Sequence, residues 1–396
     1  MFKLNNLQRL KISFLLFGMM FFYGIEQVFM NKYLHNNAAR GYVTMFFIMS
    51  MVVFDVPAGV IADRFGRKLC MLLAAVAQAT SVVVLGLSNS LLIYLLGCVL
   101  FGLFIALLNG ASQALLYDWL ASQFQTKLYA KHQGSIYAFF LIGAAIANFA
   151  SGFIARTLGL RSTYFLSVIP ALLAFMILLG LKESALTRKA SFEWFSHLSE
   201  VLQEIGQHKR ILVYALRFTA AAITLMTIGE FGQVYLLSFG ISTITLGAAW
   251  AITALFAACG RYTAHYFQAH ARNFIAVYCF ILALFVSSHH LLGIALFWLV
   301  YGLNESISNV AETEIQDETT APLRATTFSV ISVIGNIIAI PIVYLFTKYY
   351  VHHGIGAANQ MIAITMIVVL LLTIVVRQPP VADSERRPQR AITERL

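Results

Sequence analysis

Charged side chains inside long apolar stretches are the residues of this chain that can do chemistry. They are Glu26, Asp55, Arg217, Glu230 and Glu305. A charge at the centre of a bilayer costs about 2.5–3.5 kcal/mol on insertion scales, so such residues mark ion, proton or solute sites. Burial also favours the neutral form of a carboxyl group, so a buried glutamate can accept a proton from one side and release it to the other.

The first pair of acids lies at similar depth in two different apolar stretches. Glu26 has Tyr23 and Gln27 beside it, and Glu230 follows Thr227 by three residues. We predict Glu26 and Glu230 as proton-coupling residues that face each other. The alternative is that one or both lie at the outer water interface and are simply solvated.

Polar stripes on three further stretches predict a path for a solute. Glu305 shares one helix face with Asn309, and we predict it as a third proton-coupling residue. Such stripes face water or protein rather than lipid, but interhelical hydrogen bonds explain them equally well. Arg217 can bind an anionic substrate, pair with an acid, or extend back to the inner surface. The last interpretation is favoured, because Arg217 lies close to Arg210 at the inner end of its apolar stretch. The predicted pathway residues are Tyr23, Gln27, Asn109, Gln113, Arg217, Thr227, Asn309 and Asn336.

The elements that position these residues are membrane-spanning helices. Of 396 residues, 60% are hydrophobic and only 11% are charged, whereas soluble domains have about 25% charged residues. This composition excludes a cytosolic enzyme, a disordered chain and a secreted disulfide scaffold. Stretches of about 17–25 apolar residues can cross a bilayer. The predicted spans are 11–31, 41–61, 69–87, 91–117, 134–155, 162–181, 210–237, 242–262, 273–288, 290–311, 326–347 and 358–376.

The basic residues give the orientation. If the amino terminus is inside, most of the 27 Lys and Arg fall in inner loops, as the positive-inside rule requires. The outer segments hold Lys32, Arg40, Arg156, Arg161 and Lys348. We therefore predict both termini in the cytoplasm and an inner or plasma membrane location. The net charge of +10 is spread over many short loops, which argues against nucleic-acid binding.

Two halves of six spans each are predicted. The first bundle covers 1–181, a cytoplasmic linker 182–209, the second bundle 210–377, and a disordered cytoplasmic tail 378–396. The linker is either an amphipathic helix on the inner surface or a plain solvated connection. Weak matches at offsets near 200, including Glu26 with Glu230, favour duplicated halves.

One loop carries a motif with a recognisable pattern. Residues 55–68 read DVPAGVIADRFGRK, between the second and third spans. This pattern resembles motif A of the major facilitator superfamily, and the span plan extends the resemblance over nearly the whole chain. The resemblance implies an all-α fold with twelve transmembrane helices in two six-helix pseudo-repeats, and a charge cluster that closes the inner face. The predicted inner-gate residues are Asp55, Gly59, Asp63, Arg64, Gly66, Arg67, Lys68 and Asp118.

Two further segments resemble the family less closely. The second-half counterpart of the motif, from Gly260, has Ala264 where the first half has Asp63, which predicts a one-sided latch. The fifth span resembles a degenerate form of the family's antiporter motif. Helix packing by small residues explains the same pattern. The residues concerned are Gly134, Gly143, Ala147, Asn148, Ser151 and Gly152.

The sequence thus predicts a monomeric secondary transporter rather than an enzyme. The leading hypothesis is proton-coupled efflux of a small amphipathic compound by alternating access. The alternatives are proton-coupled uptake of a small metabolite and, from another class, a membrane receptor or scaffold that does not transport. The expected partners are a small-molecule substrate, protons and the lipid bilayer. No cofactor and no metal are expected.

Overall fold

The computed structural model describes residues 4–125, 128–182, 203, 205–206, 208–288, 290–319 and 324–375. Within these ranges the chain is nearly all helical and contains no β-strand. Most of the predicted linker and the whole predicted tail, 378–396, lie outside the described residues.

Residues 4–182, which we call the first half, fold into seven helices. Their bounds are α1 Asn6–Gly18, α2 Glu26–Tyr33, α3 Ala39–Phe65, α4 Arg67–Leu87, α5 Leu91–Ala121, α6 Tyr129–Leu158 and α7 Leu160–Leu179. Gly66 has φ 103° and separates α3 from α4. That left-handed conformation is available to glycine without steric cost, which explains a one-residue turn at this point.

Residues 208–288, 290–319 and 324–375, which we call the second half, fold into six further helices. The bounds are α8 Lys209–Thr224, α9 Gly232–Leu237, α10 Thr243–Phe267, α11 Ala271–Ser287, α12 His290–Glu318 and α13 Arg324–Val375. Gly354, with φ 85°, breaks α13 into 324–353 and 355–375.

Two helical breaks occur at matching places in the two halves. A 3-10 turn, Tyr23–Ile25, joins α1 to α2, and a π turn, Leu225–Gly229, joins α8 to α9. The backbone N–H of Glu230 donates to the carbonyl of Leu225 at 2.9 Å, the five-residue spacing of a π turn. Single π turns in helices frequently mark functional sites. Both breaks end at a glutamate, Glu26 in one half and Glu230 in the other.

Eight helices in the described part of the chain are long and apolar enough to cross a membrane. One of them covers 327–374 and contains the break at Gly354. Helix α11, over Ala271–Ser287, is apolar but shorter. The count of twelve spans stays a prediction.

Among the described residues, the hydrophobic core that the halves share includes one end of the bundle. The largest core cluster joins first-half residues such as Phe29 and Tyr164 to second-half residues such as Phe231 and Phe297. We call the end with the connection 34–38 the joined end. At the opposite end, which contains the turn at Gly66 and which we call the split end, each half has separate core clusters.

Small residues allow α6 and α10 to approach closely at the joined end. A Cβ atom placed on Gly152 would lie 2.5 Å from the Cα of Ile244 and 2.7 Å from the carbonyl oxygen of Thr243. A Cβ on Gly247 would meet the carbonyl oxygen of Asn148 at 2.7 Å. The contact between the halves therefore depends on glycine at these positions.

We expect Gly152→Val to lower the free energy of unfolding by about 1–3 kcal/mol, the usual cost of overpacking. Thermal unfolding of the purified protein in detergent micelles measures the change. Gly134→Val is the matched control, because it lies on the same helix and a Cβ there meets no atom within 4 Å. Equal melting temperatures for the two variants would show that this packing does not stabilise the joined end.

Candidate functional site

The site is built on the two helical breaks. Glu26 is the first residue of α2, and its side chain is 7% exposed. Glu230 directly follows the π turn, and its side chain is 27% exposed. The breaks at these positions bring the two acids towards the same cation, although they lie 204 positions apart in the chain.

That cation is Arg40, in the first turn of α3, and its side chain is 2% exposed. Its Nη1 lies 2.7 Å from Oε2 of Glu26 and 3.8 Å from Oε2 of Glu230. A buried charge without an opposite charge is strongly unfavourable, so both carboxylates stabilise this guanidinium. The pair with Glu26 is a charged hydrogen bond, whereas the longer contact with Glu230 is an ion pair across the halves.

Glu26 is held by a chain of tyrosines as well as by Arg40. The hydroxyl of Tyr94 on α5 donates to Oε1 of Glu26 at 2.5 Å. It lies 3.0 Å from the hydroxyl of Tyr164 on α7, and both rings are fully buried. Each carboxylate oxygen of Glu26 therefore has a short hydrogen bond, which fixes the side chain.

Glu230 is held differently, by contacts that cross between the halves. The hydroxyl of Tyr23 donates to Oε1 of Glu230 at 3.0 Å. Next to it, the side-chain amide of Gln233 donates to the carbonyl of Tyr23 at 2.6 Å and accepts from the backbone N–H of Gln27 at 3.0 Å. The backbone groups freed by the break in the first half are thus satisfied by the second half.

We call Tyr23, Glu26, Arg40, Tyr94 and Glu230 the joint cluster. A cavity of about 70 Å³ lies beside it. Its wall is aromatic and aliphatic apart from the charged side chains, the hydroxyls of Tyr23 and Thr44 and the thiol of Cys98. The lining residues are Phe22, Tyr23, Glu26, Arg40, Val43, Thr44, Phe47, Leu85, Cys98, Phe101 and Glu230.

The sequence prediction for Arg40 was wrong. It counted Arg40 as a loop charge, because the residue stands where an apolar run begins. In the structure Arg40 lies inside the bundle and reaches back to Glu26, fourteen residues earlier. Two intramembrane acids at equal depth are the signal that points to a buried cation nearby, since unpaired carboxylates are not tolerated there.

Glu305 and Arg217 lie outside the joint cluster, and each has a partner within the second half. The Nε of Arg261 donates to Oε2 of Glu305 at 2.6 Å. Arg217 pairs with Oε2 of Glu314 at 3.0 Å and donates to the hydroxyl of Thr373 at 3.2 Å. Of the three interpretations of Arg217, the structure shows the pair with an acid on another helix.

The remaining pathway residues are scattered. Asn109 and Gln113 are exposed on α5, and Asn309 and Asn336 are half-buried. Thr227 is fully buried, and its hydroxyl donates to the carbonyl of Ile223 within its own helix at 2.7 Å. Among the described residues of this set, Tyr23, Gln27 and Thr227 therefore lie in or beside the break regions around Glu26 and Glu230, and the others lie elsewhere.

The motif loop lies at the split end. Arg67 forms an ion pair with Asp118 and also donates to the carbonyl of Ala114. The ammonium of Lys68 donates to the carbonyl of Leu179 at 2.6 Å. Asp55 and Arg64 are exposed. The side chain of Asp63 lies outside the described residues.

A weaker form of this contact exists in the second half. Gln268 stands 201 positions after Arg67, the same offset that separates Gly59 from Gly260. Its amide donates to Oδ2 of Asp317 at 3.2 Å. The neutral glutamine at this position donates a hydrogen bond to an acid on the neighbouring helix and forms no ion pair.

Three positions of the degenerate antiporter motif, Gly143, Asn148 and Gly152, lie at helix contacts in this structure, whereas Gly134 does not. A Cβ on Gly143 would clash with the backbone carbonyl of Leu15 on α1. Asn148 and Gly152 lie against α10, as described above. Small side chains at these points allow close approach of backbones.

These features define a helical membrane protein in which two bundles meet at a buried charged cluster. The profile of the Major Facilitator Superfamily matches residues 12–342. The chain belongs to that superfamily. It is therefore an integral membrane protein of a superfamily of non-enzymatic transporters.

Solved transporter structures have the same fold. The nucleoside transporter NupG superposes with a TM-score of 0.75 at 14% identity over 94% of this chain and 98% of that one. A D-xylose-proton symporter gives 0.73 at 16% identity over 94% and 97%. A bacterial homolog of the human lysosomal transporter Spinster, in an inward-facing conformation, gives 0.68 at 15% over 93% and 94%. Such low identities show the fold alone.

One characterised relative has a detectable sequence match. Multidrug resistance protein 2 of Bacillus subtilis (strain 168) is 25% identical over 170 residues. The match covers 43% of this chain and 41% of that protein, so less than half of the relative's length is matched.

Because Arg40 is buried, we expect Glu26→Gln to lower the free energy of unfolding by about 3 kcal/mol or more, the cost of removing one partner of a buried ion pair. Chemical denaturation in micelles measures the loss. The matched control is Glu318→Gln, which breaks a half-buried pair with Arg210 and is expected to cost about 1 kcal/mol or less. A loss for Glu26→Gln no larger than the control's would contradict the assignment of a buried, stabilising pair.

Proposed function

We propose that this transporter couples proton movement to efflux of a small amphipathic compound, with the joint cluster as the coupling centre. The observation that carries the proposal is the ion pair between Arg40 of the first half and Glu230 of the second. Alternating access requires the halves to separate at the joined end, where they share a core. The charges that must separate there include a carboxylate that can be neutralised by a proton.

Protonation of Glu230 changes the balance between the two conformations. At about 4 Å, two unit charges attract by about 4 kcal/mol at an effective dielectric constant of about 20. A proton on Glu230 removes its attraction to Arg40 and favours opening of the joined end. Loss of the proton restores the attraction and favours closure. Glu26 keeps Arg40 paired in both conformations, because its contact lies within the first half.

We propose a second charged contact, at the split end, as a latch between α4 and α5 within the first half. Arg67 and Asp118 are on different helices of the first half, beside the turn at Gly66. We propose that Asp55, Gly59, Asp63, Arg64, Gly66, Arg67, Lys68 and Asp118 shape this inner gate. The glutamine at position 268 makes the second-half contact weaker.

The membrane arrangement follows from the same proposal. The twelve predicted spans fall into bundles over 1–181 and 210–377, and the excess of basic residues places the split end and both termini in the cytoplasm. In this orientation the structure is closed towards the outside. The protein works as a monomer in the inner or plasma membrane.

The relatives bear on direction of transport in two ways. The bacterial relative named for multidrug resistance favours efflux, and the structural neighbour named as a proton symporter favours the alternative of uptake. A receptor or scaffold that kept the fold is the alternative from another class. It needs no movement of protons through the joint cluster.

Proton flux in proteoliposomes tests the coupling proposal. With a pH-sensitive dye inside the vesicles and pools of amphipathic solutes outside, we expect wild-type protein to move protons when a substrate is present. Glu230→Gln is expected to abolish the flux, because glutamine keeps the size of the side chain and carries no proton. Glu318→Gln is the matched control and is expected to transport normally. Solute-driven proton flux that survives Glu230→Gln would contradict the assignment.

A charge exchange tests the latch. We expect Arg67→Asp and Asp118→Arg each to reduce solute transport at least about tenfold, because each places like charges together. The double variant, in which the two charges are exchanged, is expected to recover much of the activity. Solute uptake into proteoliposomes measures all three variants. Activity in the double variant no higher than in the single ones would argue against a direct latch between these residues.

A further inference from the structure

We infer that the cavity beside the joint cluster is a binding site for a monovalent organic cation, with Glu230 as its anionic ligand and Arg40 as the internal cation that it displaces. The inference rests on the proposed transport function and names the substrate class of that site. It is carried by the charge balance, by the unequal engagement of the two glutamates and by the wall of the cavity.

The charge balance favours a positive ligand. When Glu26 and Glu230 are both ionised, two negative charges face one guanidinium, which leaves one negative charge in excess. In a poorly solvated site an excess charge is unfavourable until a counter-charge enters. A neutral ligand does not supply that charge, and an anion makes the excess larger.

The two glutamates differ in their freedom to bind a ligand. Both oxygens of Glu26 have short hydrogen bonds, to Arg40 at 2.7 Å and to Tyr94 at 2.5 Å. Glu230 has one hydrogen bond, from Tyr23 to Oε1, and its Oε2 lies 3.8 Å from Arg40. Its side chain is also more exposed than that of Glu26. A cation entering the cavity therefore meets Oε2 of Glu230 as the available acceptor.

Arg40 can give up Glu230 without becoming unpaired. Its Nη1 makes the contacts to both acids, and its Nε and Nη2 are buried without a hydrogen-bond partner among the described residues. The short bond to Glu26 stays within the first half when Glu230 turns to a ligand. When a ligand binds, Glu230 thus loses its weak ion pair with Arg40 and forms an ion pair with the ligand instead.

The wall of the cavity suits the rest of such a cation. Phe22, Tyr23, Phe47 and Phe101 line it, and aromatic faces attract quaternary and protonated amines. A cavity of about 10–15 Å³ holds one water molecule. The cavity of about 70 Å³ therefore holds a headgroup of a few heavy atoms. The predicted ligand has a compact ammonium head on an apolar body.

Binding to the purified full-length protein in micelles tests the inference without any transport. The probes are choline, its neutral carbon isostere dimethylbutanol, and benzyltrimethylammonium. We expect both cations to bind saturably, and choline to bind at least about tenfold more tightly than dimethylbutanol, because the two differ only in charge. Benzyltrimethylammonium is expected to bind more tightly than choline because its ring adds aromatic contact.

Three variants locate the site. Glu230→Gln is expected to weaken cation binding at least about tenfold, whereas Glu230→Asp keeps the charge and is expected to retain most of it. Glu318→Gln is the matched control and is expected to bind as wild type. Thermal unfolding of each variant confirms that the protein is folded.

Several results would overturn the inference. For the wild-type protein, these results are equal binding of choline and dimethylbutanol or no saturable binding of either cation. For the variants, they are wild-type binding by Glu230→Gln or an equal loss of binding in Glu230→Gln and Glu230→Asp. If one of these is found while solute-driven proton flux is intact, the cation site is wrong and the transport function stands. If the cations bind as expected and no proton flux is found, the cation site stands and the proposed transport function is wrong.

Discussion

A guanidinium enclosed in an apolar helical bundle needs carboxylates within a few ångströms, and the joined end of this protein is arranged around that requirement. Arg40 lies in the first turn of α3, so its partner must come from a helix that begins nearby. Glu26, the first residue of α2, meets it at 2.7 Å because the chain is interrupted between α1 and α2. An unbroken helix over 6–33 would give the backbone at Glu26 a different direction. The ion pair between Glu26 and Arg40 therefore depends on the break between α1 and α2.

The pair also connects helices that are distant in sequence. Glu26 accepts from Tyr94 on α5, and Tyr94 contacts Tyr164 on α7. Arg40 faces Glu230 in the second half. Buried polar groups of this kind specify one arrangement of helices, because any other packing leaves some of them without partners. The core shared by the halves includes residues around this network, such as Phe22, Phe29 and Tyr164.

The sequence predicts the helices and the acids better than their partners. Apolar length locates α4, α5 and α10 within a few residues, because burial in lipid needs a fixed number of residues. Glu26 and Glu230 stand out because charge is rare in such stretches. Arg40 does not, because a cation at the start of an apolar run also fits a loop that flanks a membrane span.

Local sequence patterns do not predict ion-pair partners on other helices, and the reason is physical. Arg217 has three compatible interpretations until the position of Glu314 is known, and ninety-seven residues separate the two. Glu305 looks like an isolated acid until Arg261 is placed against it. The long-range packing that decides these pairs depends on the whole bundle, whereas residue spacing constrains only one helix at a time.

The difference between the halves gives the joint cluster its chemical character. Glu26 and Glu230 are related by an offset of 204, and the same offset takes Arg40 to Ile244. The residue at that position is not a cation, and among the described residues Glu230 pairs with a guanidinium from the other half. With a cation of its own, Glu230 would form a closed pair within the second half, as Glu26 does in the first, and separation of the halves would not change its partner. In the part of the chain that the structure describes, one guanidinium serves these two carboxylates. In the proposed mechanism the joint cluster therefore accepts one further positive charge, and movement of the halves changes how strongly that charge is held.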